Sequence, residues 1–126
     1  MASVTDTLAR AAANLEVAHG AWQQALERVR GGAAGATQDP YVLRALGEVC
    51  THVRAAEALL NLARQGGAEA ALLAVLAEAQ CLDAATRAGQ WLQATGGNAL
   101  AVDGSVQAQG QRLRRVGDYL LNGVGL

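Results

Sequence analysis

The chain is 126 residues long, 52% hydrophobic and 17% charged, with a formal net charge of −1. That balance predicts one globular domain, residues 1–126, with a single buried core rather than a disordered segment. Near-neutrality offers no electrostatic footprint for nucleic acid, and no apolar run approaches the ~18 residues of a membrane span.

The first helix is expected over about residues 5–30. Leu8, Ala12, Leu15, His19, Trp22, Leu26 and Val29 recur at alternating steps of four and three, which marks one helical face turned toward a neighbour. Thr5 or Asp6 is the expected cap for its free amides. "GGAAGATQ" then breaks the pattern and reads as the one flexible linker.

A second helix is expected over 40–65. Asp39–Pro40 supplies an N-cap acid followed by proline at the first helical position. Val42, Leu46, Val49, Val53, Ala56, Leu60 and Ala63 continue the stripe, and "RQGG" ends it, because glycine adopts the left-handed cap conformation without strain.

The third helix, about 68–95, should turn Leu72, Val75, Leu76, Ala79, Leu82, Thr86, Gly89 and Trp91–Leu92 inward. The fourth, about 105–122, has Val106, Leu113, Val116, Leu120 and Leu121 as its apolar side and is weakened by Gly110 and Gly117. Long helices joined by short connections predict an all-α, antiparallel, up-down four-helix bundle. Mid-helix Gly47 and Gly89 each cost about 1 kcal/mol relative to alanine, which points first to close helix crossings there and second to room for a ligand.

Ala makes up nearly a quarter of the chain, and every basic residue is Arg. With no Lys there is no Schiff-base chemistry and no Lys phosphate clamp. Cys50 and Cys81 both fall within predicted helices, which suits thiols in a reducing cytoplasm better than a disulfide.

Few residues suggest chemistry. Glu16 and His19 have the Glu-x-x-His spacing of carboxylate-bridged metal bundles, but it occurs once, since Glu48 and His52 are four apart. They are the only metal-ligand candidates, against the commoner reading of His19 as a hydrogen-bonded core histidine. Cys50 and His52 lie on different faces of their helix and cannot pair. Asp83 and Arg87, at i and i+4, are a surface ion pair if they face out and a ligand contact if they face in. His19, His52, Asp83 and Arg87 are therefore the candidate catalytic residues. Arg112, Arg114 and Arg115 form the one basic cluster, expected to be a solvated face with some attraction for phosphate.

"DPYVLRALGEVCTHVRAAEALLNLA", "AEAQCLDAATRAGQWLQATGGNAL" and "GDYLLNG" occur in that order. Together they resemble the C-terminal helical domain of the acyl-CoA dehydrogenase superfamily, nearest the flavin-dependent monooxygenases of the dibenzothiophene-desulfurisation type. The resemblance runs from the first helix to Gly123. It implies that Gln93, Gly96 and Gly97 match a segment that approaches the flavin of a neighbouring subunit, and that the domain builds subunit contacts. The family's helical and β domains, which supply most of the flavin pocket, have no counterpart here. "AVDGSVQAQGQ" also runs almost directly into "RLRRVGDYLLNG", where relatives carry an Arg-rich stretch and a His-bearing loop.

No cofactor is therefore expected for this chain alone, and flavin only if a partner chain completes the pocket. The leading expectation is a freestanding cytoplasmic oligomerisation or partner subunit, a homodimer or tetramer through Ala-rich faces, with a separate flavoprotein chain as a further partner. Behind it stand a small enzyme cyclising or isomerising an acyl or polyketide-like substrate, and a small-molecule or metal-binding module.

Overall fold

A computed structural model describes residues 3–32, 39–97 and 106–125. They form four helices: α1 (Val4–Arg30), α2 (Pro40–Arg64), α3 (Ala70–Ala94) and α4 (Val106–Asn122). None of them is long and apolar enough to cross a membrane. Residues 33–38 of the expected linker, and 98–105 of the connection before α4, lie outside the described residues.

Local chemistry sets the helix ends. Ser3, not Thr5 or Asp6, caps α1: its Oγ accepts from the Asp6 amide at 3.0 Å, placing an acid in the first turn where the helix dipole favours it. Asp39 Oδ1 accepts from the Tyr41 amide at 2.9 Å with Pro40 opening α2, as its sequence predicts. Gly66 and Gly67 follow α2 at φ of +73° and +98°, a conformation open to glycine and strained for other residues.

α3 is the centre of the molecule and packs against each of the other three helices. Contacts between side chains fix the directions. Arg10 meets Glu78 and Arg28 meets Thr95, so α1 and α3 run parallel. His19 meets Glu57, and Val29 joins Val42, so α1 and α2 run antiparallel. Cys81 meets Ala56 and His52 meets Asp83, which makes α2 and α3 antiparallel as well. Among the described residues α4 lies against α3 alone.

The core is built on alanine. Ala11, Ala18 and Ala25 are fully buried at steps of seven along α1, in one cluster with Ala77, Ala84, Ala85 and Ala88 of α3 and Ala56 and Ala63 of α2. Small side chains let helix axes approach toward the ~8 Å end of the usual range. Leu15, Val53, Leu60 and Leu92 supply the bulk in the same cluster.

This shifts the α1 face from its expected position. Leu15 and Val29 are buried, but Leu8, Ala12, His19, Trp22 and Leu26 sit half-buried beside the alanine seam. The α2 stripe holds, with Val42, Val49, Val53, Ala56, Leu60 and Ala63 buried and Leu46 at the margin. Among the described side chains of α4 only Val116 is buried; Leu113, Leu120 and Leu121 face solvent, because the side toward α3 is set by Arg112 and Val116.

One further expectation fails: Gly47 and Gly89 are not at helix crossings, since a Cβ at either would meet no atom within 4 Å. The alanine seam joining α1, α2 and α3 is buried within the chain, while Ala9, Ala13, Ala55, Ala58 and Ala71 remain exposed.

Candidate functional site

The antiparallel register of α2 and α3 brings together three of the four residues singled out as catalytic candidates. His52 lies one turn beyond Glu48 and Val49 on α2. Asp83, Arg87 and Gln90–Trp91 follow one another along one side of α3. Between the two helices lies an open groove of about 210 Å³, lined by Glu48, Val49, His52, Arg87, Gln90 and Trp91 among others.

Asp83, just outside the lining, touches two of the groove's polar side chains. Its Oδ2 accepts from Arg87 Nε at 2.9 Å and stands 3.5 Å from His52 Nδ1. The first is a formed hydrogen bond; the second sets the imidazole beside the carboxylate at the outer limit of one. With Nδ1 turned to the carboxylate, His52 Nε2 is the ring nitrogen left for another group. Each of the three side chains retains a third or more of its exposure, so the triad is solvated. Beside it, Trp91 packs against both core clusters, and its indole N–H is buried with no acceptor among the described residues. The arrangement offers an imidazole, a guanidinium and a carboxylate over an apolar floor, groups suited to proton transfer or to holding a small polar molecule.

His19 is elsewhere. Its Nε2 lies 3.2 Å from Glu57 Oε2, which also accepts from Arg54 Nη1 at 3.2 Å. The carboxylate beside His19 is thus Glu57 of α2 rather than Glu16, which is exposed. No set of three metal-ligating side chains converges among the described residues.

Gln93 is exposed near the end of α3. Gly96 and Gly97 form a glycine helix stop: the Gly97 amide donates to Leu92 O and the Gly96 amide to Gln93 O, both at 2.9 Å, with Gly96 at φ +90°. Arg28 of α1 reinforces it by donating Nε to Thr95 O at 2.8 Å, a cation at a helix C-terminus. A Cβ on Gly97 would collide with the Leu92 side chain, so the tight backbone here already has a mechanical cause.

The thiols are unpaired and differ in access. Cys50 is half-buried, whereas Cys81 is fully buried, its Sγ 3.9 Å from Ala56 O. Burial pushes the Cys81 thiol up to about 11, against a smaller opposing pull from Arg64.

One polar centre escaped the sequence reading. Glu78 is 2% exposed and holds Arg10 Nε at 2.7 Å and Arg112 Nε at 2.5 Å. Arg112 therefore leaves the solvated cluster expected of it, while Arg114 and Arg115 remain exposed. The available signal was that Glu78 is the one charged residue between positions 70 and 82. Compared with models of protein families, with characterised proteins and with solved structures, the chain matches none.

Proposed function

We propose that the chain is an up-down helical bundle of the acyl-CoA dehydrogenase C-terminal type. On this reading it works as a cytoplasmic oligomerisation or partner subunit without flavin chemistry of its own. Flavin would enter only where a separate flavoprotein chain completes the pocket.

The observation that carries this reading is the outward face of α4. Gly110, Leu113, Gly117 and Leu120 follow one another at the a and d positions of a heptad, with Leu121 adjoining and Val124 just past the helix. Leu113 is 47% exposed, Leu120 66% and Leu121 85%. Nothing lies within 4 Å of a Cβ placed on Gly110 or Gly117, so a second helix can approach the backbone closely. The occupant this seam suits best is a second copy, α4 against α4, because a two-fold axis makes one such stripe complementary to itself.

Light scattering coupled to gel filtration, across a concentration series, tests it. The wild type should run as a dimer or tetramer, and Leu113→Glu/Leu120→Glu as a folded monomer. A wild type that stays monomeric at its highest soluble concentration, with no partner chain binding α4, refutes the proposal.

The groove at His52 supports a second reading, an enzyme moving protons on an acyl or polyketide-like substrate. His52 is the acid–base group, Asp83 orients it and Arg87 receives negative charge. Deuterium uptake at the α-carbon of a β-ketoacyl thioester surrogate should exceed the buffer rate and fall in His52→Asn. Uptake at the buffer rate in the wild type ends that reading.

A further inference from the structure

The charges of α4 divide into two sets. Arg112 is held by Glu78, and Arg115 is engaged as well. Arg114 and Asp118 are both exposed. Among the described residues Arg114 has no ion-pair partner, and Asp118 accepts from the Asn122 side-chain amide at 2.8 Å rather than from a cation. The two stand four apart with the base first, the weaker order for a pair along one helix. Helical periodicity puts both on one flank of the Gly–Leu seam, while Val116, buried against α3, lies on the other.

The seam itself prefers one direction of pairing. Its order is Gly110, Leu113, Gly117, Leu120, with glycine at each a and leucine at each d position. A parallel second copy sets a against a and d against d, stacking glycine on glycine and leucine on leucine. Voids and crowding then alternate along the contact. An antiparallel copy sets a against d, so every leucine meets a glycine. Leu113 and Leu120 stand out from the surface, and open space lies over both glycines, so knobs and holes are both available.

One register satisfies the whole seam. Leu113 with Gly117 and Gly110 with Leu120 are both centred on residue 115, so a single two-fold axis at that level matches all four positions. Arg114 and Asp118 are centred one residue further on, at 116. The same axis brings like flanks together, and Arg114 of each copy comes within about 3 Å of level with Asp118 of the other, two residues of helical rise. In the parallel arrangement unlike flanks meet, and Arg114 faces the flank of Val116 instead.

Resting on the reading of α4 as the seam between copies, we propose that α4 pairs antiparallel with α4 of a second copy, each leucine seated on a glycine. Arg114 and Asp118 form the two reciprocal charge pairs that select this direction. They are the specificity-determining residues of the contact, because the apolar stripe supplies adhesion and the charges supply orientation.

Two measurements on the full chain test this. The first is oxidative cross-linking, with Cys50→Ser in every chain and Cys81 left buried. Leu113→Cys mixed with Gly117→Cys should give a mixed disulfide dimer, since those positions face each other. Each variant alone should link poorly, since like positions are about 6 Å out of level. The second is light scattering across a concentration series. Arg114→Asp and Asp118→Arg should each weaken dimerisation about tenfold, and mixing the two variants should restore it as a heterodimer, in which both charge pairs are again opposite in sign. A dimer in which each cysteine variant links to itself and not to the other overturns the antiparallel register. So does a dimer indifferent to both charge reversals, and in either case α4 stands as the seam. A wild type that stays monomeric, or a dimer unaffected by Leu113→Glu/Leu120→Glu, removes seam and register together.

Discussion

Replacing Glu78 with Gln keeps the shape of the side chain and removes its charge, leaving two guanidiniums against a neutral amide. Breaking a buried ion pair from one side costs ~3–5 kcal/mol when the orphaned charge stays buried. Here Arg10 and Arg112 are 30% and 20% exposed and can swing partly into water, so about 2–3 kcal/mol is expected. The contrast within the same molecule is Arg44–Glu48, an i,i+4 pair with side chains 80% and 57% exposed. There Glu48→Gln should cost no more than about 0.5 kcal/mol. Urea unfolding in chloride buffer, followed by circular dichroism, measures both. Amide exchange adds a spatial readout: α4 is tied to α3 through Arg112, so Glu78→Gln should speed exchange in α4 more than in α1–α3. A loss below about 0.5 kcal/mol with α4 protection unchanged would refute the view of Glu78 as the junction of three helices.

Gly47→Ala and Gly89→Ala should each stabilise the chain by about 0.5–1 kcal/mol, because both are helical and an added Cβ meets open space; destabilisation in the same urea assay would show that something covers these sites. Burial holds the Cys81 thiol at about 11, up from its ordinary 9.0, so its protonated form supports the fold fully below pH 9. That contribution, on the order of 2 kcal/mol, should be lost as pH rises from about 9 toward 11. Cys81→Ala should flatten that limb of the stability–pH curve, and an unchanged slope would reject the mechanism. In the folded chain at neutral pH, iodoacetamide should modify Cys50 well before Cys81; equal rates would contradict the burial difference.

Signals that act within a few residues were legible in the sequence. Asp39–Pro40, "RQGG" and the α2 stripe work through local hydrogen bonds and 3.6-residue periodicity, and each appears where expected. Asp83 and Arg87 pair at i and i+4 as their spacing predicts, whereas His52 joins them only through the α2–α3 packing, which no spacing shows. The α1 face departs from its expected position because apolar bulk does not mark burial there. In an alanine seam the smallest residues lie nearest the neighbouring axis, while Leu8 and Trp22 flank it. Glu78 with Arg112 was not legible at all: a contact across 34 positions leaves no spacing to read. Nor did the sequence separate the two sides of α4, since Leu113 and Val116 are equally apolar and only packing on α3 distinguishes them.

The central place of α3 also has a consequence for how the chain is made. Synthesis runs from the N-terminus, so α1 leaves the ribosome long before its principal partner exists. Until α3 emerges, the alanine seam of α1 has only α2 to rest on, the lesser of its two contacts in the finished fold. Completion of residues 70–94 is therefore the event that closes the core. A nascent chain stalled before that point should remain a loose helical hairpin, open to chaperones and proteases, whereas one released just after it already holds its final shape around α3.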